Sequence, residues 1–148
     1  YEILVGIVGS ELCIRDRFKH LHYYYFHNCI YETVWKDNRR RSQERFFVQD
    51  IINKYTADYK LIFVGDATMA PYEITNAGGS IEHWNEEPGG IWVKRLCEHF
   101  SNVAWLNPIQ EDHWDYTSSV CLIRDLVEQR MFPLTLKGLE EGMSNLSK

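Results

Sequence analysis

The chain has no close pair of cysteines, no long apolar run, only four prolines and no excess of basic residues, and each shortage excludes something. Its four cysteines, Cys13, Cys29, Cys97 and Cys121, are scattered without any C-x-x-C. A structural zinc site needs four converging ligands and is usually announced by such pairs, so neither a cysteine-rich metal site nor a disulfide framework is expected. Three of the four lie in apolar runs, where a reduced thiol behaves as a small core residue, as suits a cytoplasmic protein. No apolar run approaches the ~20 residues that a helix needs to cross a bilayer. Residues 1–10 are apolar but have no basic leader, which argues against a signal peptide. Sixteen Lys and Arg against 21 Asp and Glu leave a formal net charge of -5. That balance opposes a general affinity for nucleic acid or for an anionic membrane, both of which favour basic surfaces.

What is present is aromatic and well patterned. Aromatics make up 14% of the chain, too many for a disordered segment, because such side chains need burial to offset the entropy of ordering. The runs His22-Tyr23-Tyr24-Tyr25-Phe26 and Ile30-Tyr31-Glu32-Thr33-Val34-Trp35 predict two strands turning at Asn28. Arg39, Arg40 and Arg41 follow in a charged loop, which is read as a solvated surface and not a phosphate site. Phe46, Phe47, Ile51, Ile52 and Tyr55 recur at helical spacing and predict a helix over 43–55. Lys60-Leu61-Ile62-Phe63-Val64 is apolar without alternation, the pattern of a strand buried on both faces. Residues 70–87 carry turn punctuation and predict a loop.

Further helices are expected over 91–100, 116–128 and 137–146, with strands at 103–106 and 131–136. Pro133 confines the last strand to an edge. Helices and strands thus alternate from residue 43 onward, which predicts an α/β domain: a mostly parallel central sheet with helices on both faces and an antiparallel hairpin at its edge. Ligands of such sheets collect at the C-terminal ends of the strands. Asp66 and Thr68 follow one strand and Asn107 follows the next, so the three should share one rim.

Several strings sharpen this picture: Phe63-Val64-Gly65-Asp66-Ala67-Thr68-Met69-Ala70-Pro71-Tyr72-Glu73, Gly78-Gly79-Ser80-Ile81-Glu82-His83-Trp84-Asn85-Glu86, Val103-Ala104-Trp105-Leu106-Asn107-Pro108 and His113-Trp114-Asp115-Tyr116-Thr117. With the preceding Tyr24-Tyr25-Phe26-His27-Asn28-Cys29, they resemble bacterial von Willebrand factor type A (VWA) proteins of the CoxE-like group, from about Phe18 to the C-terminus. The resemblance implies a Rossmann-like VWA fold and a non-catalytic, cytoplasmic protein-binding or assembly module. It also implies a metal-ion-dependent adhesion site for Mg²⁺ or another divalent cation. In that family the ligands come from a D-x-S-x-S loop after the first strand, a Thr from a later loop and an Asp after the fourth strand. Asp66 matches the last of these. Relatives with the complete site often work as adaptors to MoxR-type AAA+ ATPases, which makes such an ATPase the expected protein partner.

Two departures stand out. No D-x-S-x-S occurs, and residues 6–17 resemble translated sequencing adapter. Residues 1–17 are therefore expected to be a non-native extension, and 18–148 a partial VWA-like domain without its first strand and metal loop. In place of the family's Thr only Ser42 is offered, so this chain alone is expected to bind no metal. Thr68 would hydrogen-bond a metal ligand or cap a turn.

Other residues admit simpler readings. Glu82, His83, Glu86 and Glu87 carry donor chemistry but lack H-E-x-x-H spacing, so a surface loop is the plainer account. Trp84 and Trp114, in loops near the rim, are candidate partner-binding aromatics, whereas Trp105 belongs to the core. A competing reading makes Asp66 the nucleophile of a haloacid-dehalogenase-like phosphotransfer enzyme. That chemistry needs a second acid two residues on, where Thr68 stands.

Overall fold

The unbroken apolar runs become the middle of a sheet, because only a strand covered on both faces can bury every residue of such a run. The computed structural model describes residues 2–5, 20–36, 45–80 and 83–148. Its strands are β1 (Glu2–Val5), β2 (Leu21–Tyr24), β3 (Thr33–Trp35), β4 (Arg45–Phe47), β5 (Lys60–Val64), β6 (Gly78–Ser80), β7 (His83–Asn85), β8 (Asn102–Asn107) and β9 (Met131–Pro133). Its helices are α1 (Val48–Lys54), α2 (Pro71–Thr75), α3 (Gly89–His99), α4 (Ser118–Leu126) and α5 (Leu136–Leu146), with a 3-10 turn over Glu111–Tyr116.

Five strands form the main sheet in the order β2-β1-β5-β8-β9, and every neighbouring pair is parallel. The register sets Ile62 opposite Ala104 and Val64 opposite Leu106, so β5 and β8 end together. Alternation then divides the core. Leu61, Phe63, Val103 and Trp105 face a large cluster with α1, α3 and α4, whereas Ile62, Val64, Ala104 and Leu106 meet Met143 and Leu146 of α5. Both faces are covered, the first by several helices and the second, among the described residues, by α5. Pro133 ends the edge strand β9, where its missing N–H costs no ladder bond.

Four expectations need correction. A sheet without its first strand was expected; instead Glu2–Val5 lies between β2 and β5, with Leu4 opposite Ile62. Residues 1 and 6–17 lie outside the described residues. The edge hairpin is reduced to its turn. Asn28 adopts the left-handed φ of 57°, and Tyr25 and Trp35 exchange backbone hydrogen bonds of 2.7 and 2.8 Å. Beyond that point β2 joins the parallel sheet and β3 pairs with β4.

The helix expected over 43–55 starts only at Val48. Phe46 and Phe47 belong to β4 and stay exposed, while Val48, Ile51 and Tyr55 carry the buried stripe. A strand followed directly by a helix mimics helical spacing across the junction. Similarly, 70–87 is not a plain loop: Pro71 starts α2, and Gly78–Ser80 pairs with His83–Asn85 as a short hairpin.

Candidate functional site

The C-terminal edge of the sheet is held by hydrogen bonds from side chains that the strands themselves supply. Gly65 N–H donates to the Leu106 carbonyl at 3.1 Å, and Trp105 Nε1–H donates to the Gly65 carbonyl at 2.8 Å. Asn107, fully buried, spans the two strand ends. Its Nδ2 donates to the Asp66 carbonyl at 3.0 Å, and its Oδ1 accepts the Ile109 N–H at 2.9 Å. A buried amide with both ends satisfied stabilises its loops, whereas an unpaired one would cost the desolvation of each lost group.

The loop after β5 is turned outward by its own backbone. Ala67 has a φ of 57°, in the left-handed region that a residue with a Cβ seldom occupies, and its methyl is buried. Asp66 and Thr68 on either side are exposed. Asp66 Oδ1 accepts the Thr68 N–H at 2.9 Å, an Asx turn that fixes the carboxylate while leaving Oδ2 outside the bond. Farther on, Met69 N–H donates to Ser119 Oγ at 3.3 Å, tying the loop to the first turn of α4. Nothing in the sequence singled out Ser119; its position behind Thr117, at a helix start, was the available signal.

The predicted rim is thus partly assembled. Asp66, Thr68 and Asn107 lie at one edge, with Asp66 and Thr68 facing out and Asn107 acting as a buried latch. The carboxylate and the hydroxyl are hard oxygen donors that suit part of a Mg²⁺ shell, which takes six oxygens including water. Among the described residues, no three His, Cys, Asp or Glu side chains converge on a metal position. Ser42 and Glu82 lie outside the described residues, as do Arg39, Arg40 and Arg41.

Two candidates separate. Trp84 is 63% exposed on β7, available to a partner. Trp114 is only 2% exposed and donates Nε1–H to the Ile109 carbonyl at 3.0 Å, so it is a core residue and not a binding aromatic. The 3-10 turn winds its ring inward, which loop assignment from sequence did not foresee. Glu87 is claimed by Arg95 through two contacts of 2.5 and 2.7 Å, and the guanidinium holds its carboxyl below the usual carboxylate range. Arg95 itself lies over the Trp92 ring at 4.5 Å. Glu87 is therefore committed to a structural pair.

The hairpin of β6 and β7 closes a cleft with Tyr31, Tyr72, Glu73 and Asn76.

No known family model, curated protein or solved structure matches this chain.

Proposed function

We propose that the chain is a VWA-type protein-binding module of the CoxE-like kind, from a bacterial cytoplasmic protein, using the edge built by the loops after β5 and β8. The observation that supports this reading most is the strand order. Following β1, the chain moves outward to β2, and following β5 it moves the other way to β8 and β9. The order therefore reverses between β1 and β5, and open α/β sheets bind ligands in the crevice at such a switch point, outside the strands' C-terminal ends. Asp66 stands on the β5 side of that crevice, and the resemblance gives the same position a metal ligand. In the full-length protein the metal would be Mg²⁺ or another divalent cation, bound by Asp66 and by D-x-S-x-S oxygens upstream of Phe18. Its open position would take a carboxylate of the partner, a MoxR-type AAA+ ATPase.

Phosphotransfer with Asp66 as nucleophile is the weaker reading, because Asp66 Oδ1 is engaged by the Thr68 N–H and position 68 supplies no second acid. Capture of a purified MoxR-type ATPase by the protein carrying its native N-terminus tests the proposal. Asp66→Asn is expected to weaken capture at least about tenfold, a loss of about 1.4 kcal/mol. Equal capture by both would reject it. Hydrolysis of p-nitrophenyl phosphate that disappears in Asp66→Asn would favour the enzyme.

A further inference from the structure

From the cleft between α2 and the β6–β7 hairpin, we infer a second binding site, which takes an organic cation: the guanidinium or ammonium head of a basic side chain or of a free amine. The cleft encloses about 220 Å³ and is lined by Tyr31, Tyr72, Glu73, Asn76, Gly78 and Asn85. That is less than the ~300 Å³ at which drug-sized pockets begin, so it suits a small head group.

Its chemistry is of one sign. Among the described residues, Glu73 is the acid of the lining, and no Lys or Arg lines it. The carboxylate is fixed in place: Oε2 accepts the Ala70 N–H at 3.1 Å, and Oε1 receives a long contact of 3.4 Å from the Tyr31 hydroxyl. A long bond leaves Oε1 with capacity for a charged donor, which makes the stronger hydrogen bond. The negative field is felt locally, because burial and then the charge of Glu73 push the Tyr31 phenol well above its ordinary range. Half-buried Tyr31 and exposed Tyr72 add aromatic rings to the lining, and such rings attract cations. Asn76 and Asn85 add amide groups that can orient the N–H donors of a guanidinium or ammonium. Farther out, Glu32 and Glu86 line an adjoining hollow that shares Asn85, while Glu87 there is neutralised by Arg95. An anion would meet the Glu73 carboxylate, and an uncharged ligand would bring no charge to complement it.

Gly78 gives the site a clean blocking variant. Gly78 lines the cleft, and a Cβ built there meets nothing within 4 Å, so a bulky residue at this position is tolerated by the fold. Nuclear magnetic resonance titration of the whole chain tests the site, with N-acetylarginine methylamide as a protein-borne head group and choline as a free amine. N-acetylcitrulline methylamide serves as the uncharged shape control. At least one cation is expected to shift the amide signals of Tyr72, Glu73, Asn76, Gly78 and Asn85, with the citrulline compound at least about tenfold weaker. The tighter of the two cations identifies the source of the head group. Glu73→Gln keeps an acceptor for Ala70 N–H and should weaken cation binding about tenfold. Gly78→Leu should abolish it while the remaining spectrum stays that of the folded chain. Equal response to arginine and citrulline compounds, shifts located elsewhere, or no response to either cation would overturn the inference. None of these results depends on Asp66, so the site stands or falls apart from the proposed rim.

Discussion

At the residue scale, Asp66 combines two roles that substitution can separate. Its Oδ1 accepts the Thr68 N–H, and this bond does not need a charge. Asp66→Asn should therefore melt within about a degree of the parent, whereas Asp66→Ala should lose about 1 kcal/mol in urea denaturation, the net worth of one hydrogen bond. Comparable losses in both would mean that the charge itself holds the turn. Asn107 differs because its amide is fully buried and joins two loops. Asn107→Ala should cost about 2 kcal/mol, mostly from the polar groups of Asp66 and Ile109 left without partners. The pH response follows from Cys29. Burial pushes its thiol from an ordinary 9.0 up to about 12, so the folded chain keeps a proton that the unfolded chain releases. This contribution to stability is fully present below pH 9 and declines as pH rises towards 12, so melting temperature should fall across that window. At pH 8 Cys29 should resist iodoacetamide until urea is added, since only roughly one thiol in ten thousand is then ionised in the folded chain. Rapid alkylation of Cys29 in the folded chain would show that its pocket admits water.

At the element scale, the docking of α5 on β9 includes a very close approach at Gly138. A Cβ at Gly138 would lie 1.8 Å from the Pro133 carbonyl oxygen, and Thr135 Oγ1 already accepts the Gly138 N–H at 3.1 Å. The helix start cannot move away without losing its cap, so Gly138→Ala should destabilise the fold by about 3 kcal/mol in denaturant titration. A neutral result would mean that the helix start shifts freely. Elements of this kind were unequally legible in the sequence. Lys60–Val64 and Asn102–Asn107 announced themselves, because burial on both faces requires unbroken apolar runs, and nothing local competes with that signal. Phe46 and Phe47 misled, because two exposed strand residues next to a buried helical stripe continue its period by coincidence. Trp114 misled for a related reason: a loop position says nothing about ring direction until the 3-10 turn fixes it. The hairpin at Gly78–Asn85 was hidden because strands of three residues are too short for alternation to show. Asp66 and Asn107 were found through the strand ends they follow, whereas Ser119 accepts from a backbone N–H distant in sequence, and Glu73 caps a short helix whose Ala70 N-cap gives no capping signal.

At the scale of the whole molecule, the parallel order β2-β1-β5-β8-β9 gives the sheet one edge where loops meet and one place where the order reverses. A single carboxylate and a hydroxyl at that edge cannot by themselves offset the dehydration of a divalent cation, which demands a nearly complete set of oxygens. On the proposed reading, metal affinity is conditional on D-x-S-x-S oxygens supplied by a native N-terminus upstream of Phe18, and finding that motif in the gene is the natural preparation. The direct measurement is calorimetric titration of Mn²⁺ into the protein carrying that native N-terminus, beside its Asp66→Asn variant. Micromolar binding by the parent, reduced at least about tenfold in the variant, is the predicted result. Binding of equal strength in both would remove Asp66 from the metal site and contradict the account.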